Sequence, residues 1–345
     1  MTVLRRIATA SPPHRVDNTH LKSAVATWLA NDPDSLARFG RVLSSAGVAT
    51  RHFVLSPEEI LSLGGLQQRA AIFEEYAPAL GIDAAQRALG QTAAKDVGTL
   101  IYSSCSVPTI PSIDALILEG LGLERTTLRV PVYQHGCAGG IFGLRLAHKL
   151  CRPGAAVLTC AVELCSLVFH NDDHTGQSVV ASAIFGDGAA SALLTDTGPG
   201  LEIVDTFSFL IPGTRDQMGY DAFDDGPRLR LKSELPQVLS QNAPACASAF
   251  LERNHLTPKE VGYWLFHPGG VKILKLLEET IGLTREQTRW SWDTLSRVGN
   301  MSSATVLFVL ESFMREKIYK PGDYVLLTGV GPGLTLELIL FQVRG

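Results

Sequence analysis

Short apolar runs with the composition of β-strands alternate along this chain with longer segments of helical periodicity. The strand-like runs lie at 98–104, 129–134, 155–164, 191–196, 200–209, 263–267, 324–331 and 335–343. The helical patterns lie at 17–30, 56–79, 112–120, 139–150, 235–253, 271–281 and 303–317. This alternation predicts an α/β architecture with layered sheets. The runs at 155–164 and 324–331 are nearly all apolar, which is typical of strands buried on both faces.

The chain also shows a weak internal duplication. A strand, a turn of small residues and a helix are suggested by "VPVYQHGCAGGIFGLRLAHKL" and again by "YWLFHPGGVKILKLL". Later in each half, "SAIFGDGAASALL" and "VLLTGVGPGLTLELIL" pair an apolar run with a glycine-rich turn. We therefore predict two similar α/β halves, residues 1–198 and 199–345. No Pro/Ser-rich linker separates them, so we expect them to share one core.

Composition excludes several classes of protein. The formal net charge of −4 over 345 residues lacks the basic excess of a nucleic-acid-binding protein. The richest apolar stretch, 155–169, is interrupted by Glu163 and is shorter than the roughly 20 residues of a membrane span. The six cysteines are irregularly spaced, with no CxxC or HExxH pattern, which argues against a disulfide framework and a metal site. The N-terminus lacks the apolar region of a secretory signal, so we expect a cytoplasmic protein.

The stretch "QHGCAGG" places Cys137 between a predicted strand and a predicted helix, among residues too small to block access. The N-terminus of a helix carries partial positive charge, which is expected to lower the pKa of the thiol. The neighbouring glycines would let a substrate carbonyl approach the backbone N–H of Cys137. These features favour a nucleophile, whereas a cysteine taken alone is more often buried and inert.

A nucleophilic thiol needs a proton partner, and His267 in "WLFHPGG" is the best candidate. It ends an apolar run, and the ends of strands are where open α/β sheets place their ligands. The alternative is a histidine satisfied in the core. His135 shares a strand face with Cys137 only until the turn begins, and His170 and His174 lie in a polar segment that we expect to face solvent.

Asn300 precedes "MSSATV", which has the form of a helix start. Its ordinary role would be to cap that helix. In a set with Cys137 and His267, its amide N–H groups would instead donate to a substrate carbonyl. Thiol, imidazole and amide together suit thioester exchange and stabilisation of an enolate.

Five motifs in order, "YQHGCAGG", "FGDGAA", "FHPGG", "GNMSSATVLF" and "GVGPGLTLE", resemble those of the type III polyketide synthases, the chalcone-synthase-like enzymes of the thiolase fold. The resemblance covers essentially the whole chain and is of the bacterial or fungal type. It implies a thiolase-like duplicated αβαβα fold, a homodimer and no cofactor apart from the coenzyme A thioesters that serve as substrates.

The resemblance also implies a mechanism. Cys137 would carry the starter acyl group and the growing chain, and His267 would pair with it as imidazolium. His267 and Asn300 would polarise the malonyl-CoA carbonyl and hold the enolate left by loss of CO₂. The starter would come from an acyl-CoA, and alkylpyrone or alkylresorcinol products from a fatty-acyl starter are expected.

Binding residues follow from the same resemblance. Arg38 and Arg41, at an i, i+3 spacing on one predicted helix, would hold the phosphates of coenzyme A. Ser45 stands where many relatives have a third basic residue, and Lys272, just after the "HPGG" turn, would compensate. Gly269 in that turn would also contact coenzyme A.

Five further residues are expected around the substrate. Phe185 matches one aromatic gatekeeper of the family, whereas Leu229 replaces the second and would open space for a long starter. Cys105 and Cys165 would make the cavity wall more apolar. Ile110 would cross the dimer interface into the partner's cavity.

Three alternatives stay open. The first is a single-condensation enzyme, either like ketoacyl synthase III or of the quinolone-forming type. The second is a cysteine-dependent thioester hydrolase or acyltransferase, against which Asn300 argues, because hydrolysis needs no second carbonyl donor. The third is a catalytically silent subunit, against which the intact set of Cys137, His267 and Asn300 argues.

Overall fold

A computed structural model describes all 345 residues of the protein. The strands are β1 (Val3–Ala10), β2 (His14–Asp17), β3 (Thr50–Phe53), β4 (Val97–Ser104), β5 (Leu128–Tyr133), β6 (Ala156–Leu164), β7 (Asp187–Thr195), β8 (Gly200–Leu210), β9 (Met218–Phe223), β10 (Gly226–Leu231), β11 (Val261–Phe266), β12 (Tyr324–Gly331) and β13 (Thr335–Arg344). The helices are α1 (Asn18–Trp28), α2 (Pro33–Ser45), α3 (Pro57–Leu61), α4 (Leu66–Leu89), α5 (Asp114–Gly120), α6 (Gly139–Leu150), α7 (Gly176–Ile184), α8 (Leu235–Arg253), α9 (Val271–Ile281), α10 (Arg289–Val298) and α11 (Thr305–Glu316). No helix is both long and apolar enough to cross a membrane.

Nine strands form one mixed sheet in the order β11-β12-β13-β8-β1-β7-β6-β4-β5. The first four come from the C-terminal half of the chain and the last five from the N-terminal half. A short antiparallel pairing of β1 with β8, through Val3 and Leu4, joins the two halves. Both halves therefore contribute to one continuous sheet, and the predicted α/β fold with two similar halves is confirmed.

Helices α6 and α11 lie together at the centre of the molecule and pack on strands of both halves. Their apolar residues, such as Leu144 and Phe308, share one buried cluster with Ile101 of β4 and Ile339 of β13. Helix α4 covers the opposite face of the N-terminal strands, and α8 and α9 cover that of the C-terminal strands. Strands β6 and β12 are buried along most of their length, as their apolar composition predicts.

The duplication differs from the pairing that the sequence suggested. In the N-terminal half β4 lies beside β6, and in the C-terminal half β11 lies beside β12, so β11 corresponds to β4. The edge strand β5 has no counterpart. Helix α11 is therefore the counterpart of α6, whereas the sequence had matched "VPVYQHGCAGG" with "YWLFHPGG". Under this correspondence Cys105 and His267 are equivalent, because each directly follows its strand.

Two further differences concern the helical pattern at 56–79 and the region after β8. The pattern divides into α3 and α4, because Ser56 and Glu59 cap α3 with reciprocal hydrogen bonds and glycines 64 and 65 interrupt the helix. After β8, strands β9 and β10 form a separate two-stranded hairpin that the sequence did not indicate. This hairpin forms one wall of a cavity that lies between the two halves.

Candidate active site

A cavity of about 1190 Å³ opens between the two halves. It is lined by eight of the predicted site residues: Cys105, Cys137, Phe185, Leu229, His267, Gly269, Lys272 and Asn300. Cys165 lies on a second, smaller cavity of about 100 Å³, to which Phe185 and Leu229 also belong. Arg38 and Arg41 are exposed on α2, whose residues Val42 and Ser45 line the large cavity. Ile110 lines neither cavity and is 99% exposed.

Cys137 lies in a 3-10 turn, Gly136–Ala138, that leads into α6. Gly136 has φ of 50°, and a side chain there would collide with the ring of Pro332, so only glycine suits this turn. The hydroxyl of Ser302 donates to the Cys137 sulfur over 3.6 Å. The thiol is thus held on the cavity wall at the start of a central helix, as the sequence predicts.

The predicted effect on the acidity of Cys137 is wrong. Burial raises the pKa of the thiol to about 11; Ser302 and Asn300 lower it, and the carboxyl of Glu163 raises it further. The expectation of a lowered pKa considered only the helix N-terminus. In the folded chain the loss of water around the sulfur outweighs that contribution.

His267 follows β11, and its backbone N–H donates to the carbonyl of Thr328 over 2.8 Å. The side chain is 4% exposed, and neither ring nitrogen has a hydrogen-bond partner in the chain. Burial lowers the pKa of the imidazole to about 4, so it is neutral near pH 7. No imidazolium–thiolate contact is present, in contrast to the predicted ion pair. A neutral imidazole remains suited to accept the proton of the thiol.

The amide of Asn300 has a defined orientation. Its side-chain oxygen accepts hydrogen bonds from the N–H of Ser302 at 2.9 Å and from the hydroxyl of Thr305 at 3.1 Å. The oxygen thus has a local capping role, as the simpler interpretation held. Because the oxygen is occupied in this way, the two N–H donors are the part of the amide available to a ligand in the cavity.

The two turns that carry these groups are in close contact. A Cβ atom on Gly140 would lie only 2.2 Å from the backbone oxygen of Ser303. Gly140 thus lets the start of α6 approach the turn before α11, which brings Cys137 near Asn300 and Ser302.

The sequence did not identify Glu163 as part of the site. Its buried carboxylate accepts hydrogen bonds from the backbone N–H of Cys105 at 3.2 and 3.1 Å and from the hydroxyls of Ser106 and Ser303. Burial raises the pKa of this carboxyl, and the hydrogen bonds lower it in part. Glu163 thereby joins the loop after β4 to the turn before α11. Glu163 is an acidic residue within the apolar run 155–169, and this isolated charge was the sequence feature from which a buried functional carboxyl could have been predicted.

Tyr220 was also missed. It lies directly opposite Leu229 in the β9–β10 hairpin and lines both cavities. The sequence indicated that Leu229 replaces an aromatic residue of the family. The structure has an aromatic ring, that of Tyr220, on the neighbouring strand beside Leu229. Register between two strands is not readable from the residues of one of them.

The predicted exposure of the segment after β6 holds for His174 but is wrong for His170. The ring of His170 is buried, with Nε2 3.1 Å from the carbonyl oxygen of Pro227. The hairpin covers this side chain, which the local polar composition does not show.

Two family models match the chain: the N-terminal domain of chalcone and stilbene synthases over residues 1–199, and the C-terminal domain over residues 186–344. The protein therefore belongs to the chalcone and stilbene synthase family. Its fold is the thiolase-like fold of the type III polyketide synthases, enzymes that transfer acyl groups by decarboxylative condensation, and the protein is an enzyme of this class.

Individual relatives agree with this assignment. The chain is 33% identical to a 1,3,6,8-tetrahydroxynaphthalene synthase of Streptomyces peucetius, over 99% of this chain and 93% of the relative. It is 29% identical to the α-pyrone synthesis polyketide synthase-like Pks18 of Mycobacterium tuberculosis, over 99% and 91% of the two chains. Among solved structures, the 1,3,6,8-tetrahydroxynaphthalene synthase of Streptomyces coelicolor, a bacterial type III polyketide synthase, has a TM-score of 0.94 at 30% identity over 99% of both chains.

Proposed function

We propose that the protein loads a fatty-acyl starter from acyl-CoA onto Cys137 and extends it with malonyl-CoA, giving alkylpyrone or alkylresorcinol products. The observation that carries the proposal is the arrangement around the large cavity. A thiol, a neutral imidazole and an amide whose oxygen is occupied by local hydrogen bonds all lie on its wall. Such a set can accept an acyl group and also stabilise a second carbonyl.

Loading begins with the Cys137 thiol. His267 accepts its proton as the sulfur attacks the acyl-CoA carbonyl, and the tetrahedral intermediate collapses to the acyl-enzyme. The sulfur of coenzyme A leaves and takes the proton from His267, which returns to its neutral form. Because burial disfavours charge on both Cys137 and His267, transfer of the proton is coupled to attack rather than completed beforehand.

Extension then uses Asn300 and His267 as donors to the thioester oxygen of malonyl-CoA. The bond between the α-carbon and the carboxylate breaks, CO₂ leaves, and the electron pair forms an enolate on the thioester oxygen. The enolate carbon attacks the acyl group on Cys137, and the thiolate is expelled. The chain is then two carbons longer and attached to coenzyme A, ready to return to Cys137. Decarboxylation supplies the carbanion, so no carboxylate base is required.

The smaller cavity supports the fatty-acyl starter. It runs from Phe185, Tyr220 and Leu229 toward the apolar side chains of Leu21 and Trp28. Fourteen of its 21 lining residues are hydrophobic, and it adjoins the large cavity at the hairpin. An apolar acyl tail would replace water along this narrow wall, and each buried CH₂ contributes about 0.8 kcal/mol.

Coenzyme A is proposed to bind at the mouth of the large cavity. Arg38 and Arg41 are exposed there on α2 and take part in no ion pair. Lys272 and Gly269 line the facing side at the start of α9. Cations on two sides of the mouth suit the several phosphates of coenzyme A.

A homodimer is proposed from the surface around Ile110. This side chain is 99% exposed, and Leu116 and Leu128 nearby in the chain are 46% and 47% exposed. Strand β5 is an open edge of the sheet, which a second copy would cover. Light scattering after gel filtration should give the mass of two chains, and Ile110→Asp should shift the mass toward one chain.

The test of function is mass spectrometry of products formed from malonyl-CoA and a panel of acyl-CoAs from acetyl to long-chain and aromatic. Pyrones or resorcinols with fatty-acyl tails support the proposal. Tetrahydroxynaphthalene-type products formed from malonyl-CoA alone would refute the fatty-acyl starter. A single β-ketoacyl product would indicate a single-condensation enzyme, and free acid alone a hydrolase. Cys137→Ala should abolish acyl loading, and Asn300→Ala should abolish decarboxylation of malonyl-CoA.

A further inference from the structure

Strand β3 lies against the ends of two helices that lead into the active site. The hydroxyl of Thr50 donates to the carbonyl of Arg297 over 2.6 Å, and the N–H of Ala49 donates to the carbonyl of Ser296 over 2.8 Å. Both carbonyls belong to the last turn of α10, directly before Gly299 and Asn300. Strand β3 is therefore attached to the segment that carries Asn300.

The next residue of β3, Arg51, has an unusual environment. Its side chain is completely buried, and it forms no ion pair with any carboxylate. One terminal nitrogen donates to the carbonyl of Ala183 over 3.0 Å and the other to the side-chain oxygen of Asn18 over 3.3 Å. Its Nε has no partner. A buried cation without a counter-ion is costly to fold, so its retention calls for a physical reason.

The end of α7 supplies the compensation. Ala183 lies in the last turn of α7, where backbone carbonyls lack helical partners and carry partial negative charge. Burial lowers the pKa of Arg51 only to about 10, so the guanidinium stays charged near pH 7. The helix end and the cation therefore stabilise each other without a carboxylate.

The same helix end holds the backbone of Asn300. The N–H of Asn300 donates to the carbonyl of Ile184 over 2.9 Å, and the carbonyl of Asn300 accepts from the N–H of Gly186 over 2.9 Å. These bonds enclose Phe185, which lines the cavity. Gly186 leaves space for Arg51, since a Cβ on Gly186 would lie 3.2 Å from the Arg51 Cβ. A Cβ on Gly299 would instead lie 2.6 Å from the carbonyl oxygen of Ile184, so glycine there lets the segment of Asn300 approach the end of α7.

We propose that Arg51 is a positioning residue for Asn300: by holding the carbonyl end of α7 it fixes the backbone to which Asn300 is hydrogen-bonded, and so aims the amide donors at the malonyl thioester. Arg51 lines neither cavity, so it acts on the reaction through the backbone segment that it holds. The inference rests on the proposed role of Asn300 in decarboxylation.

The test separates two half-reactions of the purified enzyme. Acyl loading of Cys137 is followed by intact mass, and decarboxylation of malonyl-CoA by CO₂ release. Arg51→Met keeps the length of the side chain but removes charge and donors, and Arg51→Lys restores the charge. Arg69→Met is the matched control, because Arg69 is also buried and also bonds carbonyls, at Gly64, Leu167 and Phe169, away from Asn300.

We expect Arg51→Met to lower decarboxylation at least tenfold while loading per folded molecule changes less than threefold, with partial recovery in Arg51→Lys. Arg69→Met should lower thermal stability without changing the ratio of the two rates. If the ratio of the decarboxylation rate to the loading rate in Arg51→Met equals that of the parent, the proposal is overturned. Parent-level decarboxylation in Asn300→Ala alone would instead refute the role of Asn300.

Discussion

The contact between α6 and the turn before α11 offers a direct test of how the site is assembled. Gly140 is the second residue of α6, and a Cβ there would lie 2.2 Å from the oxygen and 3.3 Å from the carbonyl carbon of Ser303. These are backbone atoms, so no side-chain rotation can relieve the collision. We predict that Gly140→Ala forces the two turns apart.

The magnitude follows from the geometry. Nonbonded heavy atoms reach favourable contact at about 3.5 Å, so the turns must separate by roughly 1 Å. Overpacking of this kind costs about 1–3 kcal/mol of folding free energy. The separation also moves Cys137 away from Asn300 and Ser302, and a misplacement of about 1 Å can lower a rate by about 100-fold. The loss of activity should therefore exceed what the loss of stability explains.

The control lies one turn further along the same helix. A Cβ on Gly143 would lie 3.5 Å from the Ser103 hydroxyl, which is ordinary contact, so Gly143→Ala should fold and act like the parent. Product formation from malonyl-CoA and an acyl-CoA, measured well below the melting temperature of each variant, compares the two. If Gly140→Ala retains parent activity and stability, the close approach of these turns is not what assembles the site.

Three further predictions follow from the same site. In His267→Ala, the rate of Cys137 alkylation by iodoacetamide should rise about tenfold per pH unit up to about pH 11, because burial keeps the thiol protonated below that pKa. The parent should react faster than the variant near pH 7.5, because His267 accepts the proton of the thiol. Identical pH profiles of the two proteins would exclude that role of His267. Leu229→Phe should shift the preferred starter toward shorter acyl chains by filling the junction of the two cavities, and an unchanged preference across an acyl-CoA panel would remove Leu229 from the tail's path. Lys272→Ala should raise KM for malonyl-CoA about two- to fivefold with kcat unchanged. Lys275→Ala is the control, because Lys275 is exposed on the same helix, and it should leave both constants unchanged. Equal changes of KM in the two variants would refute a phosphate contact at Lys272.

Much of the fold could be predicted from periodicity. The helical patterns at 235–253 and 271–281 coincide with α8 and α9 to the residue. Pro236 in the first turn of α8 and Gly282, in the left-handed region after α9, are local signals of these ends. The apolar periodicity at 56–79 does not show the division into α3 and α4, which depends on the cap of α3 and on the glycines at 64 and 65. The hairpin β9–β10 has a mixed, partly exposed composition that offers no clear alternation.

The candidate residues could be predicted from the sequence because each of them lies in a short, recognisable stretch of neighbouring residues. A cysteine among glycines, a histidine at the end of an apolar run and an asparagine before a helix each have a short signature around Cys137, His267 and Asn300. Their environment has no such signature. The pKa values of Cys137 and His267 depend on how much water the assembled walls exclude, and those walls come from segments far apart in the chain.

The sequence by itself determined the α/β class, the two similar halves and the candidate thiol, imidazole and amide at Cys137, His267 and Asn300, because these depend on short-range periodicity and residue type. Only the tertiary structure decided which strands correspond, that Tyr220 faces Leu229, that Glu163 joins the two halves and that Arg51 supports the backbone of Asn300. Each of these facts is a contact between residues distant in sequence. Such contacts are set by strand register and close packing, which no local pattern encodes.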